Sequence, residues 1–150
     1  MYKWTMVGIL ILAFLLRTIN ISNLPGGFTP DEASFGYDAY SLLKTGHDQW
    51  GTRYPLSFKS FGDYKVPVYT YLVMPIIYLF GLNEYAVRLP NALLGTLAVV
   101  FTFGVALELT KSKKTSVFSS FLLAISYWHI ALSRGAFEAN LTTFFMTAGL

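Results

Sequence analysis

The sequence predicts an all-α fold, a polytopic transmembrane helical bundle with a long extracytoplasmic first loop that contains short interfacial helices. Hydrophobic residues make up 54% of the 150-residue chain and charged residues only 13%, whereas a soluble domain is about a quarter charged. Long apolar segments recur along the chain, and a short lysine cluster follows one of them. Lipid is therefore the solvent that suits this composition.

The same composition excludes several classes of protein. The formal net charge is +3, and the basic residues are scattered or lie in one cluster beside an apolar segment, so nucleic acid is not an expected partner. The chain contains no cysteine, which excludes a disulfide framework and a thiolate metal site.

Four membrane spans are predicted, at about residues 4–21, 89–109, 117–132 and 141–150, with the last one truncated. At 1.5 Å per residue the first is long enough to cross a hydrocarbon core of roughly 30 Å. A cleaved signal peptide is the alternative for the first span, but residues 20–25 show no small-x-small cleavage pattern.

The distribution of lysine predicts the topology. Lys3 and the cluster at residues 111–114 are placed in the cytoplasm by the positive-inside rule. Residues 22–88 then form an outer loop, and the turn at residues 133–140 emerges on the same side. Residues 66–80 are nearly apolar but short for a span and contain Pro67 and Pro75. We interpret them as an interfacial or re-entrant helix, since a crossing, which is the alternative, would turn the lysine cluster outward.

The outer loop begins with a helix start signal. Thr29 is the predicted N-cap, Pro30 the first helical residue, Glu32 the partner in a capping box, and Gly46 the stop. Helical spacing places Asp31 on the same face as Asp38. The simpler interpretation is that these acids only favour the helix dipole and cap the helix.

Position near the membrane gives Asp31 a second interpretation. A carboxylate there can meet a lipid phosphate headgroup, or a divalent metal ion bridging to one, with Asp31 and Asp63 as the candidate metal ligands. Lys65 lies just before the interfacial helix, so its ammonium is a candidate phosphate ligand. A lysine that only snorkels to the interface is the alternative.

Three further charged residues are candidates for the site. Arg134 and Glu138 lie four residues apart in the second outer turn; they either pair with each other or bind substrate. Arg88, just before the second span, is either a phosphate ligand or an interface anchor. His47 and His129 have no second ligand at metal spacing.

The order of these segments resembles the N-terminal region of GT-C membrane glycosyltransferases, in the family of protein O-mannosyltransferases and the lipid A aminoarabinose transferase. The resemblance covers nearly the whole chain: PDE at residues 30–32, DYKVPVYTYL at 63–72, AVRLPNALLG at 86–95 and SRGAFEANL at 133–141. Pro67 stands alone where relatives have paired prolines.

The resemblance implies transfer of a sugar from a polyprenyl or dolichyl phosphate donor, with inversion, to an extracytoplasmic acceptor, which is a protein, a lipid or a glycan. Asp31 matches the catalytic acid and is expected to be the general base. Glu32 is expected to hold the acceptor or the loop. The cations that would neutralise the lipid phosphate are Lys65, Arg88 or Arg134. A divalent metal is compatible with this chemistry but not required.

Such proteins have many more spans, so we expect this chain to be the N-terminal part of a larger module in a prokaryotic cell membrane, with its active site outside the cytoplasm, and to be inactive alone. Two other classes remain open. A transporter would place its ionisable groups near the middle of the membrane, whereas the charged residues within the predicted spans, Arg17 and Glu108, each lie near the end of a span. A non-catalytic subunit of a membrane complex would use the outer loop for docking.

Overall fold

The computed structural model describes residues 2–60 and 62–150, and within them the chain is predominantly helical, as predicted. Met1 and Phe61, which the predicted 1–150 module includes, lie outside the described residues. The elements in chain order are α1 (Tyr2–Thr18), α2 (Pro30–Thr45), β1 (Phe58–Lys59), β2 (Tyr64–Lys65), α3 (Pro67–Phe80), α4 (Glu84–Thr110), α5 (Lys113–Ile125), α6 (Tyr127–Arg134) and α7 (Ala139–Gly149). The two short strands pair antiparallel, and an isolated antiparallel bridge joins His47 to Arg53.

One helix within the described ranges, α4, is by itself long and apolar enough to cross a membrane. A second candidate appears if α5 and α6 are counted as one broken span, since they meet at an angle of 55°. The sequence predicted a continuous span over 117–132, whereas Ser126 has an extended backbone with φ −61° and ψ 114° and divides it.

The ends of two other helices differ from the prediction for local reasons. Helix α1 ends at Thr18 rather than near residue 21, and Asn20 just beyond it has a left-handed φ of 55°, which does not continue a right-handed helix. Helix α4 starts at Glu84 rather than at residue 89, because the Asn83 side chain caps it by accepting a 2.9 Å hydrogen bond from the Ala86 N–H. Arg88 therefore lies inside a helix.

Helix α2 has the start and stop that the sequence predicts. Thr29 Oγ1 accepts a hydrogen bond from the Glu32 N–H at 3.2 Å, and Glu32 Oε2 accepts one from the Thr29 N–H at 3.0 Å. Gly46 ends the helix in the left-handed region, with φ 74°, where a side chain would add strain.

The helices pack in two groups that share α4. Helices α2 and α3 pack against α4 around a buried cluster that includes Phe35, Tyr69 and Val87. Helices α1 and α5 pack against α4 around a second cluster that includes Ile9, Val99 and Ala124. Because α4 belongs to both groups, it holds the loop elements in a fixed position relative to the apolar helices.

Candidate active site

A cavity of about 300 Å³ lies where the start of α2, the hairpin formed by β1 and β2, and the turn before α7 meet. Its lining carries three carboxylates and one ammonium. The lining residues are Asp31, Phe35, Ser60, Asp63, Tyr64, Lys65, Ala136, Phe137 and Glu138. Four residues predicted to form the site, Asp31, Asp63, Lys65 and Glu138, are thus brought together from three separate parts of the sequence.

Asp31 and Lys65 form the charged pair of this cavity. The Lys65 Nζ atom lies 2.8 Å from Asp31 Oδ1, and the side chains are 10% and 63% exposed respectively. The same ammonium lies 4.5 Å from the centre of the Phe35 ring, a favourable position for a cation. The lysine is therefore fixed among protein groups, while the aspartate carboxylate remains open to the cavity.

The other two carboxylates approach the cavity from different elements. Asp63 Oδ1 accepts a 2.7 Å hydrogen bond from the Tyr64 N–H, and Glu138 Oε1 accepts one of 3.1 Å from the Val66 N–H. Burial raises the pKa of the Glu138 carboxyl, although the Val66 N–H and the charge of Lys65 act in the opposite direction. The nearby charges of Asp31 and Asp63 raise it further.

Asp38, which shares a helical face with Asp31 in the sequence, does not reach this cavity. Its side chain is buried, accepts a 3.0 Å hydrogen bond from the Gln49 N–H, and lies 3.4 Å from the Ser34 hydroxyl. Burial raises the pKa of the Asp38 carboxyl. Asp38 therefore stabilises the contact between α2 and the loop that follows it.

Glu32 faces away from the cavity into a buried ion pair with Arg88. The exposed fractions of the two side chains are 1% and 0%, with Arg88 Nε 2.8 Å from Glu32 Oε1 and Arg88 Nη2 3.1 Å from Oε2. The carboxylate also accepts hydrogen bonds from the Thr29 and Ala136 N–H groups, at 3.0 and 3.1 Å. Burial acts to raise the pKa of Glu32, but the hydrogen bonds from Arg88, Thr29 and Ala136 and the charge of Arg88 outweigh it, so the pKa is lowered.

The rest of the Arg88 guanidinium binds main-chain carbonyls of the segment between α1 and α2. Its hydrogen bonds to Ile21, Ser22, Pro25 and Gly27 measure 2.9, 3.3, 3.1 and 2.5 Å. We refer to Glu32, Arg88 and these partners as the buried centre. It joins α4, the start of α2, the segment after α1 and the turn before α7.

Arg134 does not pair with Glu138, the alternative that the sequence left open. Its guanidinium donates to the carbonyl oxygens of Leu16 and Ile19, both at 2.7 Å, and to that of Leu24 at 3.2 Å. Arg88 and Arg134, two of the three predicted phosphate ligands, are therefore occupied by main-chain oxygens, and Lys65 is the one that lines the cavity.

An apolar groove of about 540 Å³ lies beside the cavity, between the start of α3 and α7. It is lined by Val66, Val68, Glu138, Ala139, Leu141, Thr142, Phe145 and Met146. Glu138 lines both spaces, so the polar cavity and the apolar groove are neighbours at this residue.

The sequence analysis missed Asn91, which orders the turn carrying Glu138. This buried side chain donates hydrogen bonds to the carbonyls of Leu132, Gly135 and Phe137 at 3.1, 2.6 and 3.1 Å. Its signal was present, because an asparagine interrupts an apolar segment of α4, and a buried amide needs partners.

No group of three or more histidine, aspartate or glutamate side chains arranged to hold a metal ion occurs within residues 2–60 and 62–150. Asp31 and Asp63 both line the cavity, and their role as metal ligands stays a prediction.

A helix long and apolar enough to cross a membrane, together with a cavity that contains acidic residues and a lysine, is typical of a helical membrane protein with a polar site at the helix ends. A sequence model of the dolichyl-phosphate-mannose-protein mannosyltransferase family matches residues 7–150, and the chain belongs to this family. The resemblance found from the ordered motifs is thus confirmed, and members of the family are membrane proteins.

A protein of Aquifex aeolicus (strain VF5), described as "Uncharacterized protein", is 30% identical over 133 residues, which cover 81% of this chain and 23% of that protein. The chain thus spans about a quarter of the length of this relative. No solved structure matches the chain.

Proposed function

We propose that the whole protein is a glycosyltransferase that moves a sugar from a polyprenyl-phosphate donor to an extracytoplasmic acceptor, which is a protein, a lipid or a glycan. The observation that carries the proposal is the cavity in which the open carboxylate of Asp31 and the ammonium of Lys65 lie 2.8 Å apart. A base and a cation in one cavity are the two groups that this transfer needs. Membership of the family supports the general reaction.

Asp31 is the proposed general base. Its carboxylate, 63% exposed, accepts the proton of the acceptor hydroxyl or amine as the acceptor atom bonds to the anomeric carbon. The bond from that carbon to the phosphate oxygen breaks at the same time, and its electron pair leaves with the lipid phosphate. Attack from the face opposite the leaving group inverts the anomeric carbon.

Lys65 is the proposed phosphate ligand. Its ammonium is held by Asp31 and the Phe35 ring, and it is a compact point charge that suits a phosphate oxygen. When the donor binds, the flexible lysine side chain is proposed to leave Asp31 for the phosphate, on the opposite side of the anomeric carbon from the base. There it stabilises the negative charge that grows on the departing phosphate. Asp63 and Glu138 also line the cavity, where they are proposed to bind sugar or acceptor hydroxyls, or a divalent metal in the case of Asp63.

The apolar groove is proposed to hold the first part of the donor lipid. It shares Glu138 with the cavity, so a donor whose phosphate lies near Lys65 has an apolar path for its prenyl chain. Burial of that chain would contribute about 25 cal/mol for each Å² of apolar surface removed from water.

The buried centre is proposed to support the site without contacting substrate. Glu32 and Arg88 hold the start of α2, where Asp31 lies, against α4 and the turn before α7. This assigns Glu32 the role of holding the loop, while Arg88 and Arg134 act as supports in place of phosphate ligands.

The proposal includes a topology. We propose spans at α1, α4, α5 with α6, and α7, with the cavity outside the cytoplasm of a prokaryotic cell and with Lys3 and the 111–114 cluster inside, as the positive-inside rule favours. The remaining spans of the whole protein are proposed to complete the cavity and to determine the acceptor, so this chain alone is expected to be inactive.

The test is sugar transfer from radiolabelled polyprenyl-phosphate donors in membranes that contain the whole protein. We expect Asp31→Asn to lower transfer by about 100-fold or more at equal protein levels. Glu84→Gln is the matched control, because Glu84 is also an exposed acid in the first turn of a helix but does not line the cavity.

Glu84→Gln is expected to leave transfer unchanged. Equal transfer by the wild type and the Asp31→Asn variant would assign Asp31 to helix capping and favour the non-catalytic subunit.

A further inference from the structure

Arg17 is a fully buried arginine inside the predicted first span. An arginine within a membrane helix is costly and has partners or a function. Its guanidinium donates to the carbonyls of Ala13 and Ala124, at 2.9 and 3.1 Å, and to that of Leu123 at 3.3 Å. It also lies 2.7 Å from His129 Nδ1. An arginine has no acceptor, so Nδ1 accepts and the His129 proton is on Nε2.

These partners lie at the break between α5 and α6. In a continuous helix the carbonyls of Leu123 and Ala124 would accept from the N–H groups four residues later. The bend at Ser126 interrupts that pattern, and the Ser126 N–H turns back to Leu123 O at 3.3 Å. A carbonyl without a partner is expensive in lipid, so the Arg17 donors stabilise the bent form of this span.

The opposite end of α6 makes the reciprocal contact. Arg134, its last residue, donates to the carbonyls of Leu16 and Ile19 at the end of α1, where helix carbonyls lack internal partners. An arginine of α1 therefore caps the end of α5 and binds His129 of α6, and an arginine of α6 caps the end of α1. We refer to this arrangement as the arginine clasp.

Gly95 of α4 provides the room for the clasp. A Cβ atom at this position would collide with the Ser133 hydroxyl and would lie 3.2 Å from Arg17 Nε. The close approach of α4 to α6 at Ser133 therefore needs glycine. Helix α4 thus packs against the arginine clasp in addition to α1 and α6.

The position of α6 is transmitted to the cavity through the turn that follows it. Immediately after Arg134, the Ala136 N–H binds Glu32 at 3.1 Å, and Glu138 accepts from the Val66 N–H at 3.1 Å. A shift of α6 would move this turn, and with it the carboxylate shared by the cavity and the groove.

We propose that Arg17 and Arg134 are positioning residues, which lock α6 to α1 and thereby place Glu138 and the turn around Ala136 at the cavity. The expected effect of the two arginines on catalysis rests on the proposed function. Their expected effect on the position of the turn rests on geometry alone. Neither arginine contacts the substrate.

The experiment compares Arg17→Met and Arg134→Met in the whole protein, reconstituted in lipid vesicles after selection of the folded, membrane-inserted fraction. Arg53→Met, at an exposed arginine of the outer loop, is the matched control. The geometric readout is the distance distribution between spin labels at Leu56→Cys and Ala139→Cys, two exposed positions, one in the outer loop before β1 and the other at the start of α7. The labels are introduced in a background without other cysteines.

We expect one narrow distance distribution for the wild type and for Arg53→Met, and a broad or shifted one for Arg17→Met and Arg134→Met. In the folded fraction, kcat/KM for the donor is expected to fall about 10- to 100-fold, because small misplacement of a reacting group is costly. Arg134→Lys should recover most of the loss, since an ammonium also suits helix-terminal carbonyls.

Unchanged distances and unchanged kcat/KM in the folded fraction of both variants would overturn the proposal, even with a lower yield of folded protein. If Arg17→Met prevents folding, Gly95→Ala provides a second test, because it presses on Ser133 and Arg17 without removing a charge. Absence of sugar transfer by the wild type would count against the proposed function, and the distance measurement would still decide the clasp.

Discussion

Asp31 and Glu32 are neighbours in sequence, yet they belong to opposite environments. Glu32 lies in the buried centre, 1% exposed, with four hydrogen-bond donors on its two oxygens. Asp31 lies at the open cavity, 63% exposed, beside a single ammonium. Adjacent residues of a helix point about 100° apart, so one turn of α2 sends one acid to the interior and the other to the cavity.

The comparison teaches that an ion pair has different consequences in the two places. In the buried centre the charges are out of water, and removing one leaves the other without compensation. At the cavity water screens the pair, so the pair adds little stability and its members are available to a ligand. Stability and transfer measured on the same variants separate the two cases.

Arg88→Met is expected to have the largest effect on stability. It leaves the Glu32 carboxylate buried without its cation and releases four carbonyls after α1, with a loss of about 3–5 kcal/mol. Thermal unfolding in detergent measures it, with the exposed Arg53→Met as the control. If Arg88→Met and Arg53→Met lowered the stability by the same small amount, the buried ion pair would matter no more for stability than an exposed charge.

Lys65→Met is expected to affect binding rather than stability. Methionine keeps the apolar contact with Phe35 but removes the cation, so the donor KM should rise about 10- to 100-fold while stability changes by less than about 1 kcal/mol. Donor titrations in membranes give the KM. Lys59→Met is the matched control, because Lys59 is an exposed lysine of the same hairpin outside the cavity, and a similar rise for it would argue against a phosphate contact at Lys65.

Thr29→Ala removes the helix cap that both acids depend on. Glu32 would lose the hydroxyl that binds its N–H, with an expected cost of about 1 kcal/mol. Thr29→Ser keeps the hydroxyl and should restore most of that stability in the same unfolding assay. If serine is no better than alanine, the capping box contributes little.

The smallest expected effect is a pH dependence of opposite sign in the two regions. The lowered pKa of Glu32 means that its stabilisation is present above the unfolded pKa of about 4.3 and is lost as the pH falls through the folded value. The raised pKa of Glu138 means that its charged form slightly disfavours the folded state at neutral pH. Glu32→Gln should therefore weaken the acid dependence of unfolding, and Glu138→Gln should stabilise slightly at pH 7.

Unfolding temperatures between about pH 3 and pH 7, which bracket the ordinary glutamate pKa, measure both changes. If the unfolding temperatures of Glu32→Gln and Glu138→Gln changed in the same direction, the carboxylates of the buried centre and of the cavity would not differ in how their ionisation affects stability.

Local signals in the sequence were sufficient for the helical fold and for the capped start and stop of α2, whereas Asp31, Lys65, Asp63 and Glu138 were grouped through the resemblance to a family. Capping and hydrophobic patterning depend on residues within a few positions of one another, which is why they are readable from one chain. The ordered motifs also identified the family. The break at Ser126 was not readable, because its carbonyls are satisfied by Arg17, more than a hundred positions away.

The sequence by itself determined which residues can carry charge, which segments prefer lipid, and where the first outer helix begins. The tertiary structure alone decided which cationic side chains bind main-chain carbonyls and which one lines the cavity. A cation is held in the interior when distant segments bring acceptors to it. Arg88 and Arg134 donate hydrogen bonds to main-chain carbonyls, whereas Lys65 lines the cavity. Burial, which sums contacts over the whole fold, separated Glu32 from Asp31 where the sequence placed them side by side.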